Sequence, residues 1–82
     1  SLSALARKFN YSPNYLSTLL KKKTGKSYSE IILEKRLNKA RVLLTTTEMN
    51  INEIAAQSGF NNPTFFYKKY KEKFKRFPSQ RK

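Results

Sequence analysis

The chain has 82 residues, with 18 Lys and Arg against five acids, all of them Glu, for a formal net charge of +13. It has no Cys and no His, which removes disulfides, thiol chemistry, thiolate or imidazole metal sites and the commonest general base, so neither catalysis nor a metal or cofactor is expected. A hydrophobic share of 38% suits one small folded domain. No apolar run is long enough to span a bilayer and no signal peptide is visible, while the charge imbalance calls for a polyanionic partner, nucleic acid ahead of an anionic membrane surface.

The first residues already follow a helical pattern, as in a fragment of a larger protein. Ser1 can cap a helix over Leu2–Phe9, where Leu2, Leu5, Ala6 and Phe9 form one apolar stripe. After a turn at Asn10 and Tyr11, Ser12 reads as an N-cap. Pro13 follows at the first helical position, where a missing N–H costs nothing. This second helix runs Pro13–Thr24 and ends at Gly25, the residue suited to a left-handed cap. Tyr15, Leu16, Leu19 and Leu20 are expected in the core. Pro13, Asn14, Ser17, Thr18 and Lys21 share the opposite face.

Ser27–Leu44 reads as one long helix. It opens with a capping box in which Ser27 and Glu30 satisfy each other's backbone N–H. Its apolar residues recur every three to four positions, no Gly or Pro interrupts it, and it should be about 27 Å long. Glu34 has Lys35 or Asn38 as neighbours to pair with, or stands without a partner. A polar loop is expected over Thr45–Met49.

The first pattern then returns. Asn50 caps a helix with Glu53 at its third position, and Ile51, Ile54, Ala55 and Ser58 repeat the stripe of Leu2, Leu5, Ala6 and Phe9. A turn follows at Gly59, Phe60 and Asn61. Asn62-Pro63 repeats Ser12-Pro13, so the second turn is one residue longer than the first. The helix Pro63–Phe74 has Phe65, Phe66, Tyr70 and Phe74 inward and Pro63, Thr64, Tyr67, Lys68 and Lys71 outward. The basic tail Lys75–Lys82 reads as a fraying end.

A helix, a tight turn and a second helix make a helix-turn-helix, whose second helix can enter a major groove and present residues near its N-terminus to base edges. Two copies flanking one long helix, with lysines after each second helix, predict an all-α chain. In it, residues 1–26 form a first helix-turn-helix, 27–45 a central linker helix, and 46–82 a second helix-turn-helix with the tail. Together they make one nucleic-acid-binding domain.

These residues resemble the DNA-binding domain of the AraC/XylS family of bacterial transcription regulators. The resemblance is carried by Leu5-Ala6, Ser12, Tyr15-Leu16-Ser17, Lys21-Lys22 and Thr24-Gly25, then by Arg36-Leu37, Ala40 and Leu43-Leu44. In the second half it is carried by Ile54-Ala55, Gly59-Phe60, Phe65-Phe66, Tyr70-Lys71 and Pro78. The family implies seven helices, the first of them preceding Leu2, and two recognition helices in successive major grooves of double-stranded DNA. A spacer of about 27 Å is compatible with insertions one DNA turn, about 34 Å, apart. By position, the base-reading face falls on Pro13, Asn14, Ser17 and Thr18 in the first half and on Pro63, Thr64, Tyr67 and Lys68 in the second. Phosphate contacts fall on Lys21, Lys22 and Lys71 and on Ser27 and Ser29 at the start of the long helix. Asn14 suits an adenine edge, Lys68 guanine O6 and N7, and the methyls of Thr18 and Thr64 thymine.

Three departures bear on packing. Lys75 stands where the family usually has Gly, Phe77 where it usually has Thr, and Arg81 where it usually has an aromatic residue. The family also implies a cytoplasmic protein acting on the bacterial nucleoid, with RNA polymerase as a further partner. The isolated domain is expected to be monomeric, with any dimerisation or effector binding in a separate domain. The rival reading is a basic module that binds nucleic acid without regard to sequence. A membrane-surface helix is disfavoured because the apolar faces are matched across several short helices.

Overall fold

The computed structural model describes residues 1–80. It contains five helices, α1 (Leu2–Lys8), α2 (Pro13–Thr24), α3 (Tyr28–Thr46), α4 (Ile51–Gln57) and α5 (Pro63–Phe74). There is no strand among the described residues. The chain divides into two compact units, Ser1–Leu33 and Glu34–Lys82, with the division inside α3.

The repeat read from the sequence extends to the individual hydrogen bonds at the helix ends. Ser1 Oγ accepts from the N–H of Ala4 at the start of α1, and Asn50 Oδ1 from that of Glu53 at the start of α4. Both helices finish in a Schellman motif. Tyr11 N–H donates to the Ala6 carbonyl and Asn10 N–H to that of Arg7; Phe60 N–H donates to Ala55 and Gly59 N–H to Ala56 in the same way. The left-handed residue of each motif is Asn10 (φ 60°) and Gly59 (φ 98°). Asn is among the few residues with side chains that enter this region readily. At Gly59 the reason for glycine is also steric: a Cβ there would lie 2.8 Å from Nε of Arg36, whose side chain crosses the turn.

The two longer helices repeat as well. Ser12 Oγ accepts from Tyr15 N–H, and Asn62 Oδ1 accepts from the N–H groups of Thr64 and Phe65; a proline follows each cap. Both helices end with a left-handed residue donating to the carbonyl four positions back, Gly25 to Lys21 and Lys75 to Lys71. Lys75 is therefore a left-handed residue that bears a side chain, with φ 62° and ψ 24°. It closes the helix in the geometry glycine would favour, at a conformational cost.

Helix α3 is shifted from its expected bounds of Ser27–Leu44. Ser27 is its cap rather than its first residue, in the expected reciprocal box with Glu30, and the helix continues two residues past Leu44. Three threonines satisfy their own hydroxyls in this extension. Thr45 donates to the carbonyls of Arg41 and Val42, Thr46 to Val42 and Thr47 to Leu43. The Leu43 carbonyl also accepts from Thr47 N–H at 3.0 Å, so the hydroxyls find their partners on carbonyls of the helix without displacing its backbone bonds.

The first unit has a small core, in which Ala6 and Leu16 are buried and Leu2, Leu5, Leu19 and Leu20 are half-buried. The second buries Leu37, Ala40 and Leu44 of α3 with Ile54, Ala55, Phe60, Phe66 and Tyr70. An aromatic ladder runs through it, with ring centroids 5.0 Å apart for Phe60–Phe66, 5.7 Å for Phe66–Tyr70 and 4.6 Å for Tyr70–Phe74. Two residues expected in the core are not there: Tyr15 is 54% exposed and Phe65 44%. They occupy the same third position of α2 and α5, beside the buried stripe rather than on it. Each instead rests against a turn aromatic, Tyr15 on Tyr11 at 5.0 Å and Phe65 on Phe60 at 6.3 Å.

The tail also differs from a fraying end. Pro78 is among the most completely buried side chains. Phe77 N–H donates to Gln80 Oε1 and Gln80 N–H to the Phe77 carbonyl, which closes a turn over residues 77–80. Arg81 lies outside the described residues.

Candidate nucleic-acid interface

In the first unit the cap at Ser12 and the proline after it fix where α2 begins, and the helical period then sets Asn14, Thr18 and Lys21 on one side. Pro13, Asn14, Thr18, Lys21 and Lys22 are exposed and Ser17 is half-buried. The Thr18 hydroxyl donates to the Asn14 carbonyl at 3.0 Å. Its lone donor is thereby engaged within the helix, leaving its methyl group as the feature it presents. No acid lies in the first turn of α2, while Lys21, Lys22 and Lys23 close its last turn. A negative charge approaching this helix meets only cations.

In the second unit Pro63, Thr64 and Lys68 are exposed on α5. Lys68 makes no ion pair or hydrogen bond among the described residues, so its ammonium is available to a partner. Tyr67, expected to project outward, is half-buried, its ring edge-on to Phe66 at 6.0 Å between centroids. That contact restrains the ring and leaves part of it exposed, which suits a stacking or methyl contact better than a freely rotating side chain would.

The cations of α5 are not equivalent. Lys69 pairs with Glu72 at 3.4 Å and lies 5.6 Å from the Phe65 ring centroid. Lys73 reaches Glu34 of α3 at 4.0 Å, which gives Glu34 a partner far along the chain. Lys71, read as a phosphate ligand, has its ammonium 4.8 Å from the centroid of the Phe77 ring. The helical period of α5 offers no signal for this last contact, because Phe77 follows the left-handed turn at Lys75.

At the start of α3, Ser29 is exposed, while Ser27 is half-buried and its oxygen accepts from Glu30 N–H at 3.2 Å. The Glu30 carboxylate returns to the Ser27 N–H at 3.4 Å. A carboxylate thus occupies part of the end where a phosphate would be received, and Ser29 is the less committed of the two serines. Among the described residues no group of His, Cys, Asp or Glu could hold a metal ion. No described helix is long and apolar enough to cross a membrane.

This arrangement has close counterparts. A helix-turn-helix domain family matches residues 5–82. The HTH-type transcriptional regulator YtdP of Bacillus subtilis is 35% identical over 72 residues, which are 88% of this chain and 9% of that protein. The C-terminal domain of the two-component response regulator yesN from Fusobacterium nucleatum is 40% identical, with a TM-score of 0.86 over 99% of this chain and 79% of that one. An AraC-type DNA-binding-domain regulator from Chromobacterium violaceum is 32% identical, with a TM-score of 0.92 over 99% of this chain and 72% of that one. The chain spans about a tenth of the length of YtdP and about a quarter of the Msm operon regulatory protein of Streptococcus mutans. With its two helix-turn-helix units and the central helix between their sequences, the chain belongs to the AraC-type helix-turn-helix family of bacterial DNA-binding domains.

Proposed function

We propose that the domain reads double-stranded DNA by sequence, with α2 and α5 as two recognition helices in successive major grooves. The observation that carries this reading is the matched construction of their starts. Each has a capped N-terminus, a proline at the first turn and an exposed polar face not committed to the core. Base edges would be met by Asn14, Ser17, Thr18 and Pro13 on α2 and by Thr64, Tyr67, Lys68 and Pro63 on α5. The Asn14 amide matches the donor and acceptor of adenine, the Lys68 ammonium the two acceptors of guanine, and the threonine methyls the thymine methyl. Lys21, Lys22, Lys71 and Ser29, with Ser27 behind it, would hold phosphates and fix register.

The rest of the protein's activity follows from this reading. The domain acts on the nucleoid in the bacterial cytoplasm, carries no catalytic step, and is monomeric in isolation. RNA polymerase and any dimer partner are contacted when the whole regulator is bound at a promoter. The short side chains of Ser17 and Thr18 and the net charge of +13 favour one competing reading, a module that binds DNA regardless of sequence.

The two readings separate in a competition experiment on fragmented bacterial genomic DNA at physiological salt, with excess mixed-sequence duplex. Sequence reading retains a few fragments about 10³-fold or more above the remainder. Uniform loss of all fragments would leave only the sequence-blind module.

A further inference from the structure

The second unit contains a cleft that the DNA-reading helix face does not use. Its cavity, of about 250 Å³, opens to solvent. Leu44 and Phe74 give it an apolar floor, while Arg41, Arg76, Tyr70 and Gln80 bring polar groups to it. We propose that this cleft binds a small organic anion, a single carboxylate or phosphate head on a short apolar body, with Arg41 and Arg76 on the head and Phe74 and Leu44 against the body.

Three observations point to such a ligand. First, among the described residues no carboxylate lines the cleft and neither arginine forms an ion pair. Two exposed cations on one solvent-open cleft, in a chain of net charge +13, favour an anion there. Second, Tyr70 is only 5% exposed as a residue and lines the cleft. Its hydroxyl is a donor that an oxyanion in the cleft would accept from. Third, Arg41 is already positioned, with its guanidinium carbon 5.0 Å from the centroid of the Phe74 ring. Stacking of this kind holds the planar fork in place, and a guanidinium offers the paired donors that a carboxylate or phosphate accepts.

Charge around the phenol fits the same picture. Burial pushes the Tyr70 pKa above its ordinary value, while the positive charges of Arg41 and Arg76 pull it back down. Both cations therefore act on the same hydroxyl. The mixed lining, apolar on one side with a few convergent polar groups on the other, is the usual character of a small-molecule site. The cavity size admits one ring or a short chain rather than a large effector.

The test is a titration of the domain with benzoate and, separately, with phenyl phosphate, following the Nε–H resonances of Arg41 and Arg76 and the ring of Tyr70 by NMR. Sodium chloride at matched ionic strength is the control. The proposal predicts saturable shifts centred on those three residues, absent with chloride. Binding should weaken at least tenfold in Arg76→Gln, at an exposed position, and in Arg41→Gln, and severalfold in Tyr70→Phe. Preference for one probe assigns the head group. Shifts spread over the surface lysines without saturation, or binding unchanged in Arg76→Gln, would overturn it. DNA affinity is read separately, so a failure here leaves the base-reading assignment standing.

Discussion

Lys68 lies within α5 and Lys75 closes it, and the physics of each is different. Lys68 is exposed and unengaged on the groove-facing side assigned to α5. Lys68→Ala should cost about 1–3 kcal/mol at a selected site and relax preference at one or two base pairs. A uniform loss over all sequences, measured on a panel of single-base variants, would make it a phosphate contact. Lys75 holds φ 62° to close the helix. Lys75→Gly should raise stability by about 0.5–1 kcal/mol in chemical denaturation, the left-handed strain removed exceeding the backbone entropy added. A destabilised variant would show that the lysine makes a contact outweighing its strain. Ser58 illustrates a third kind of position. It is 3% exposed at the end of α4, and its hydroxyl has no partner among the described residues, an uncompensated burial of the kind a small polar residue brings to a tight turn.

Among the elements, the helix starts and stops were the most legible. Ser12-Pro13, Asn50 with Glu53, Asn62-Pro63 and Gly25 act on backbone groups within a few positions of themselves, so local sequence suffices to read them. What escaped depends on distant residues or on side chains acting outside the helical period. Tyr15 and Phe65 have the right period for a core but lie at its rim, where the turn aromatics Tyr11 and Phe60 receive them. The far end of α3 differs from its expected bound because threonine is a weak helix former by propensity, whereas here Thr46 and Thr47 turn their hydroxyls onto carbonyls four residues back and the helix tolerates them. Pro78 is buried only because the chain turns back beyond Lys75. The candidate interface residues were assigned by position from the family resemblance, while Lys71 over Phe77 and Lys73 with Glu34 had no local signal, since both contacts arise from tertiary packing. Helix α3 contributes Leu37, 3% exposed, to the core of the second unit. Leu37→Ala should cost about 2–5 kcal/mol. An unchanged melting temperature would contradict the role of α3 as the support for α4 and α5.

For the molecule as a whole, the repeat is a duplication of construction without a duplication of core. The second unit buries a run of aromatic and aliphatic side chains, whereas the first buries Ala6 and Leu16 fully and leaves Phe9, Tyr11 and Tyr15 exposed. Lysines nonetheless close both recognition helices, and the charge of +13 is carried by a chain with only five acids. Such a balance guarantees salt-sensitive attraction to DNA but carries no sequence information; that must come from the two exposed helix faces. The most direct test is selection from a randomised duplex pool at physiological salt, followed by sequencing. Two short enriched boxes about one helical turn apart are predicted, the second losing definition in Lys68→Ala. Binding that enriches no sequence and disappears as salt rises would contradict the assignment of α2 and α5 as base-reading helices.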